Sequence, residues 1–446
     1  MEPTDDEEPN DLAWTQAADM LLPRAFPAAV VLDDGRVLVA GGISGTIPTR
    51  TTELYDPGSD SWAYGPDMTV PRVGHTATLL EDGTVLVCGG ETGTGTTSSA
   101  ELLDIGSGTA LALPNMYFAR SAHSALLLTD GKVIVTGGTD WVSGPWKQAE
   151  AYDPASHSWL PAGNMARSRL SFSLMMLDSG EALAVGGDPD GTSELFSPTD
   201  WAWHGLVGMV AKRYSHACSG LDDGTVLAAG GLVDGVALSS SERYDPDANE
   251  WAAAGAMDTT RARFTLCGLP DGRLVAAGSW SDGGDTATTE AFDGDEDAWA
   301  PAPDMNVARG GHACAAIDDG RIMVMGGVSG GTPTASAEVL GEQEVEPPPE
   351  ECMEPEDIVP LVMAIAPELP GHSEHGFAAQ LMAAQAYLDA GYIEECLEVM
   401  DAFYHHVRAF WQSGHMSEGA ATTLYDAYAE VVTCLGGTVL PAFVGT

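Results

Sequence analysis

The chain has 446 residues, more than one ordinary domain needs, so its length predicts two domains. Its formal net charge of −48 disfavours binding to nucleic acids and to anionic lipid surfaces, because both are polyanions. No apolar run reaches the roughly 18 residues that suggest a transmembrane helix, and Met1–Asn10 lack the apolar segment of a signal peptide. We therefore expect no nucleic-acid partner and no membrane insertion.

The acidity itself has two interpretations that the sequence leaves open. Lysine is nearly absent, occurring only as Lys132, Lys147 and Lys212, whereas arginine is used normally. One origin is adaptation to high salt, and the other is secretion of an acidic protein. Either origin favours high solubility and cationic partners.

The predicted elements begin with an acidic tail, residues 1–10, and continue with a repeat region, residues 11–341. In each repeat an Asp-Gly or Ser-Gly turn precedes a short apolar run that ends in a pair of small residues. Successive pairs lie 44 to 49 residues apart, the period of one four-stranded propeller blade. The seven pairs are Gly41-Gly42, Gly89-Gly90, Gly137-Gly138, Gly186-Gly187, Gly230-Gly231, Ala277-Gly278 and Gly326-Gly327.

The third repeat shows how one unit supplies four strands, A to D. Ser124–Leu128 predict strand A, and Lys132–Thr136 predict strand B after an Asp-Gly hairpin turn. Glu150–Pro154 predict strand C, and Trp159 opens strand D, where it can pack between neighbouring blades.

The two ends of the repeat region complement each other. The seventh unit stops after strand C at Leu340, and an additional strand D, Trp14–Asp19, precedes the first strand A. The N-terminal strand should therefore pair into the last blade and close a ring of seven blades without an open edge.

The order Arg-x-x-His, strand, Asp-Gly, strand, Gly-Gly, Glu-x-Tyr-Asp-Pro, Trp resembles the kelch repeat family and covers about three quarters of the chain. The resemblance implies a mainly β fold, a seven-bladed kelch-type β-propeller. It also implies binding of proteins or other ligands, although some relatives are copper-radical oxidases of the galactose oxidase type. The fold alone does not choose between these functions.

Hairpin geometry places the loops before strand A and after strand B on one face, around the mouth of the central channel. The loops before strand A carry an arginine in every unit: Arg24, Arg72, Arg120, Arg167, Arg213, Arg261 and Arg309. A histidine follows three residues later in four units: His75, His123, His216 and His312. This ring could hold an anion or a metal, but arginines repeated in every blade more often brace a scaffold, and we favour bracing.

Residues that break the repeat are the stronger ligand candidates. The loop after Gly138 carries Trp141, Trp146 and Lys147, and the loop after Gly278 carries Trp280. Exposed aromatic side chains on a rim suit sugar stacking or protein anchoring, whereas aromatics that fold back would only cover a neighbouring blade. The candidate ligand-binding residues are Arg72, Arg120, Trp141, Trp146, Lys147, Arg213, Trp280 and Arg309.

Known catalytic and metal motifs are missing from the sequence. We find no nucleophile elbow, HExxH or phosphate loop, and no tyrosine placement that matches the copper site of the oxidases. The acidic segment Asp293–Asp297 resembles the start of a calcium loop, but Ala298 stands where that loop needs glycine. We therefore expect no catalytic residue, no metal site and no cofactor.

Among the seven cysteines, Cys88, Cys218, Cys267 and Cys314 fall in apolar strands and are expected to be buried small side chains. A disulfide among Cys352, Cys396 and Cys434 is a further expectation, without a preferred pair.

The chain after the repeats changes character. Residues 342–357 are acidic and proline-rich, which predicts an extended linker. Residues 358–446 then show helical periodicity, with helices expected over Phe377–Asp389, Tyr392–Gln412 and Glu418–Leu435 in a small three-helix bundle. The segments Leu381–Gly391 and Leu397–Ala409 resemble the FIMAH-type helical module of secreted bacterial and archaeal proteins. That resemblance implies an attachment element.

Three functional hypotheses follow, and the first is favoured. It is a secreted or cell-surface binding protein that recognises a protein or glycan at the propeller mouth. The alternatives are a carbohydrate-active or galactose-oxidase-like enzyme, and an intracellular kelch scaffold. The oligomeric state is left open.

Overall fold

The structure, a computed structural model, describes residues 12–281, 284–317, 320–342, 380–385, 393–412 and 418–434. Two compact units divide the chain between Gln343 and Glu344. The predicted acidic tail and nearly all of the predicted linker lie outside the described residues.

The first unit consists of seven four-stranded antiparallel sheets, which are the blades of a propeller. In blades 1 to 3 the strands, A to D, are Ala28–Val31, Val37–Ala40, Thr52–Asp56 and Ser61–Tyr64; Thr76–Leu79, Val85–Cys88, Ala100–Asp104 and Thr109–Ala112; and Ser121–Leu127, Val133–Thr139, Gln148–Asp153 and Ser158–Asn164. In blades 4 to 6 they are Ser173–Met176, Ala182–Val185, Thr192–Ser197 and Ala202–Gly208; Ala217–Gly220, Val226–Ala229, Ser241–Asp245 and Glu250–Ala253; and Thr265–Gly268, Leu274–Ser281, Gly284–Asp293 and Ala298–Ala302.

Blade 7 is assembled from both ends of the repeat region. Its strands A to C are Ala313–Ala316, Ile322–Met325 and Ala337–Glu342, and its strand D is the N-terminal Leu12–Ala17. The N-terminal strand pairs antiparallel with strand C over its whole length. This is the ring closure that the sequence predicts, and it satisfies backbone groups that an open last blade would leave at a sheet edge.

The core of the propeller lies between the blades. Every residue of strand B is buried in blade 1, where Val37–Ala40 are all aliphatic residues that fit between two packed sheets. Strand D supplies the outer contact between blades. Trp159, for example, packs on Tyr152 of its own blade and donates its indole N–H to the carbonyl of Pro114 before blade 3, at 2.8 Å.

A disulfide joins Cys267 in strand A of blade 6 to Cys314 in strand A of blade 7. The expectation that both are merely small buried side chains is therefore corrected for this pair. The two strands belong to adjacent blades, so the bond crosslinks the inner wall of the ring. Cys88 and Cys218 are not disulfide-bonded. The expected pairing among the C-terminal cysteines remains a prediction, since Cys352 lies outside the described residues.

The second unit is helical wherever it is described. Residues 380–385 are helical, helix α1 spans Ile393–Gln412, and helix α2 spans Glu418–Cys434. Side chains from all three segments form one apolar cluster that includes Met400, Phe403 and Leu424. The bounds of the predicted helix Phe377–Asp389, the complete three-helix bundle and the FIMAH resemblance remain predictions. No helix in the described part of the chain is long and apolar enough to cross a membrane.

Candidate binding face of the propeller

The loops before strand A and after strand B lie on one face, which we call the mouth face. After strand B, four blades extend a two-stranded ribbon onto it: Ile43–Ser44 with Ile47–Pro48, Glu91–Thr92 with Gly95–Thr96, Leu232–Val233 with Val236–Ala237, and Val328–Ser329 with Thr332–Pro333. In blade 6 strands B and C themselves continue to Ser281 and Gly284. Five of the seven blades therefore present a β-hairpin on the mouth face, and residues on strands are positioned more precisely than residues on loops.

One backbone ring encircles the channel at the mouth face. Its members are Phe26, Gly74, Ala122, Ser171, Ser215, Arg263 and Gly311, one from each blade, and all have positive φ. The amide of Ala122 donates to the carbonyl of Gly74 at 3.0 Å, and Ser171 donates to Ala122 in the same way. We call this the inner ring. Five of its members are not glycine, so the blade-to-blade hydrogen bonds hold them in a conformation that costs energy.

The repeated arginines lie just below this ring and are buried. Arg120 is fully buried, donates to the carbonyl of Gly137 at 2.7 Å, and forms an ion pair with Glu150 of strand C at 2.7 Å. The same pair recurs in every blade as Arg24–Glu53, Arg72–Glu101, Arg120–Glu150, Arg169–Glu194, Arg213–Glu242, Arg261–Glu290 and Arg309–Glu338. The four arginine ligand candidates, Arg72, Arg120, Arg213 and Arg309, therefore point into the blades, in the bracing position that the sequence analysis favoured.

In blade 4 the bracing residue is Arg169, which corrects the assignment to Arg167. The guanidinium of Arg169 pairs with both Asp188 and Glu194, whereas Arg167 is exposed and pairs with Asp190. A constant spacing could have revealed this. Each bracing arginine bonds the carbonyl of the glycine 17 residues later, and Gly186 lies at that distance from Arg169.

The strand C glutamate also fixes the loop that links consecutive blades. Glu150 accepts hydrogen bonds from the backbone amides of Tyr117 at 2.7 Å and Phe118 at 3.4 Å. One carboxylate thus satisfies an arginine and two backbone donors that would otherwise be buried without partners. This arrangement explains why Glu recurs in strand C of every unit.

The four histidine rings are packed between adjacent blades. The rings of His75, His123, His216 and His312 lie against glycines of the preceding blade, and a side chain on Gly41 or Gly89 would collide with them. Phe172 and Phe264 take the same place in blades 4 and 6. Burial, together with the neighbouring arginine of the repeat, lowers the pKa of His75, His216 and His312 to about 3. These rings are neutral at pH 7 and do not form a cationic ring.

The tryptophan candidates have three different environments. Trp141 is exposed and its indole N–H contacts the carboxylate of Glu91 in blade 2. Trp146 folds back onto Phe118 with ring centroids 5.2 Å apart, and it donates to the carbonyl of Ala119. The fold-back alternative of the sequence analysis thus describes Trp146 and not Trp141.

The other two rim candidates also differ. Lys147 is exposed. Trp280 lies between Arg263 and Phe26, two members of the inner ring that the sequence analysis did not single out. No local signal marks them, because they belong to different repeats and meet only when the ring closes.

A family model for the Kelch motif matches residues 24–69, 120–166 and 213–257, which begin at the bracing arginines of blades 1, 3 and 5. Three of the seven blades therefore carry recognisable Kelch motifs. No curated protein sequence matches the chain.

A solved structure shares the fold of this kelch propeller. It is a fungal alcohol oxidase of the AA5 family in complex with copper, with a TM-score of 0.62 and 19% sequence identity. The similarity covers 75% of this chain and 77% of the oxidase chain. At this identity the match concerns the fold alone.

An oxidase-type copper site requires tyrosines and histidines to converge, and the strand C tyrosines of the propeller do not lie with the repeat histidines. The hydroxyls of the strand C tyrosines bond to residues of the C–D turns, away from the mouth face: Tyr55 to Asp60, Tyr152 to His157 and Tyr244 to Asn249. The histidines are separated among blade interfaces. Within the described ranges no three His, Cys, Asp or Glu side chains form a group suited to a metal.

The calcium-like segment is a tight turn. The carboxylate of Asp293 accepts hydrogen bonds from the amides of Asp295 and Glu296 at 2.8 and 3.1 Å. Local backbone donors thus use the oxygen that a cation would need, as in the acidic-turn interpretation favoured from the sequence.

Large exposed apolar side chains concentrate on the mouth face. Val142 is 90% exposed at the tip of the blade 3 loop, and Ile47 and Val236 are 66% and 65% exposed at ribbon tips. The apolar set on this face, which we call the rim, is Leu21, Ile47, Trp141, Val142, Val210 and Val236. Tyr117 is also exposed, but its hydroxyl donates to the carbonyl of Trp159 on outer strand D of blade 3. The other large exposed apolar residues of the described propeller lie on outer strands: Tyr64, Leu111, Leu160 and Leu206.

The opposite face, formed by the A–B and C–D turns, has a different character. The A–B turns of blades 1 to 6 each carry Asp or Glu, for example Asp33, Asp82 and Asp223. The basic residues Arg36, Lys132 and Arg273 in these turns pair with aspartates of the same turn. The carboxylates give this face a negative electrostatic potential. The two ends of the propeller therefore differ. Exposed apolar side chains lie beside acids such as Glu91 and Asp234 on the mouth face, whereas the described turns of the opposite face carry acids without large exposed apolar side chains.

Proposed function

We propose that this kelch propeller is a binding protein that takes a protein partner on its mouth face. The observation that carries the proposal is the one-sided distribution of exposed apolar side chains. Aliphatic side chains such as Ile47, Val142 and Val236 gain free energy when another protein covers them. They favour a protein surface over a glycan, because sugars bind mainly through open aromatic faces and hydrogen bonds.

The proposal includes an extracellular or cell-surface location. A disulfide between Cys267 and Cys314 persists only where the surroundings do not reduce it. The predicted helical module would then serve for attachment. An intracellular scaffold would instead keep both thiols reduced, so a count of free thiols in protein isolated without reductant separates the two locations.

The enzyme alternative rests on the shared fold with a copper oxidase. The buried, separated histidines of the repeat and the turn-bound tyrosines of strand C speak against it. Stoichiometric copper in the purified protein, with a visible absorbance band, would revive this alternative.

A matched pair of surface variants tests the binding proposal. The rim variant carries Ile47→Ser, Val142→Ser and Val236→Ser, and the control carries Leu111→Ser and Leu206→Ser on outer strands. Peptides are first selected against the full chain from a random display library. The rim variant should lose their binding and the control should retain it. Equal binding by both variants would contradict a mouth-face site, and a glycan array run in parallel tests the glycan alternative.

A further inference from the structure

A compact cluster occupies one side of the inner ring. Arg263 and Trp280 come from blade 6, and Phe26 comes from blade 1. The guanidinium of Arg263 lies 4.8 Å from the centre of the Trp280 ring, and the rings of Phe26 and Trp280 are 5.5 Å apart. This cluster spans the loop of blade 7, which lies between the two blades.

Blade 7 makes room for the cluster with two glycines. A Cβ atom on Gly310 would collide with the side chain of Trp280, and one on Gly311 would collide with the ring of Phe26. The other blades have larger residues at one or both of these positions, such as Tyr214 and Ser215 in blade 5. The cluster thus departs from the repeat, and five positions of the sequence fit one another in it: Phe26, Arg263, Trp280, Gly310 and Gly311.

Arg263 is the one charged member of the inner ring. Its side chain is exposed, its φ is 51°, and its amide and carbonyl are held by Ser215 at 3.0 Å and Gly311 at 2.7 Å. The chain has 66 Asp and Glu residues, and most arginines pair with one of them. Among the described residues Arg263 has no such ion pair, so its charge is available at the mouth of the channel.

Trp280 supports the guanidinium and is not an open platform. Arg263 and Phe26 both contact its ring, and Trp280 is partly buried. An arginine stacked on an aromatic ring keeps its N–H groups directed outward in the plane of the guanidinium. That geometry suits a carboxylate, which accepts two parallel hydrogen bonds from such a fork.

We propose that Arg263 anchors one carboxylate of the protein partner at the mouth of the channel, with Trp280 and Phe26 as its supports. This inference rests on the proposed function and names the chemistry of its central contact. A net charge of −48 repels a run of acids. The partner segment therefore carries a single Asp or Glu flanked by aliphatic residues, which the apolar rim receives.

The test uses the peptides selected on the full chain. Those that bind should share one Asp or Glu among aliphatic residues. Arg263→Gln should weaken their binding about tenfold to a hundredfold, the usual effect of losing a charge-assisted hydrogen bond, and changing the peptide acid to its amide should weaken it equally. Arg50→Gln is the matched control, because Arg50 is exposed on the same face but already pairs with Asp67 at 3.3 Å.

Two results separate this inference from the proposed function. Peptides that lose binding in the rim variant but bind Arg263→Gln normally would overturn the role of Arg263 and leave the mouth-face site intact. Peptides that depend on neither set of residues would overturn both. Combining Arg263→Gln with the peptide amide should add little to either change alone, because both remove the same contact.

Discussion

The buried arginine–glutamate pairs make a quantitative prediction about the stability of the ring. In Arg120→Met, Glu150 keeps its charge inside the blade while its cationic partner is lost. Breaking a buried ion pair from one side typically costs about 3 to 5 kcal/mol. The loss also removes the hydrogen bonds from Arg120 to the carbonyls of Gly137 and Gln148. We therefore expect the free energy of unfolding to fall by about 3 to 5 kcal/mol.

An exposed arginine provides the control. Arg50 is 60% exposed at its side chain and pairs with Asp67 at 3.3 Å. Exposed ion pairs contribute less than about 1 kcal/mol, so Arg50→Met should lower the stability by no more than that. A second comparison adds Glu150→Gln to Arg120→Met. The amide oxygen still accepts from Tyr117, and the unpaired buried charge disappears, so the double variant should recover about 1 to 2 kcal/mol.

Urea unfolding followed by tryptophan fluorescence is a suitable assay, because every tryptophan except Trp411 belongs to the propeller. If Arg120→Met and Arg50→Met destabilised the protein equally, the bracing role of the arginines would be refuted. If the double variant were no more stable than Arg120→Met, the unpaired charge of Glu150 would not be the cause of the loss.

Three further predictions concern the inner wall of the ring. His75→Phe should make the stability less sensitive to acid. The pKa of His75 is about 3 in the folded chain and about 6.5 in the unfolded chain, so the free energy of unfolding falls by about 1.4 kcal/mol per pH unit as the pH falls between these values. Urea unfolding between pH 6 and pH 4 should therefore show the stability of the variant rising relative to that of the native chain. The double variant Cys267→Ala with Cys314→Ala should have a free energy of unfolding about 4 kcal/mol lower, because it loses a crosslink between residues 47 positions apart that restricts the unfolded chain. Added reductant should destabilise the native chain but not this variant. Ala122→Gly should leave the free energy of unfolding unchanged or raise it by up to about 1 kcal/mol, because φ is 53° at this residue and glycine adopts positive φ without strain. A loss of 1 kcal/mol or more in thermal unfolding would contradict the strain we assign to the inner ring.

The contrast between the two faces shapes how binding should respond to salt. A cationic ligand drawn to the acidic turn face would bind more weakly as salt screens the attraction. A segment that uses the apolar rim and Arg263 contains few charges, and the net charge of the chain repels its single acid. Its binding should therefore vary little with salt, which makes a salt series a useful companion to the variant tests.

Much of the propeller could be predicted from the sequence. A blade folds mainly from contacts within one repeat, so the turn-strand-Gly-Gly period reports the number of blades directly. The seventh repeat lacks a strand D after Leu340, and an additional strand around Trp14 precedes the first repeat, so the sequence predicted that the N-terminal strand closes the ring. The repetition of Arg and Glu once per unit likewise indicated a structural role, because a ligand rarely matches sevenfold symmetry.

Other features were decided only by the tertiary structure. Arg167 and Arg169 are both available before strand A of blade 4, and the fold selected Arg169 because only its guanidinium reaches Glu194 from within the blade. The pairing of Cys267 with Cys314 depends on which residues of two adjacent inner strands face each other.

The cluster of Arg263, Trp280 and Phe26 has the same origin. Its members are scattered over 255 residues of sequence, from position 26 to position 280, and no repeat pattern links them. They meet because blade 1 and blade 6 flank blade 7, whose glycines leave space for aromatic rings. The sequence by itself determined the scaffold, since each blade is a local unit. The chemistry of the mouth was decided by ring closure, which brings the two ends of the repeat region together.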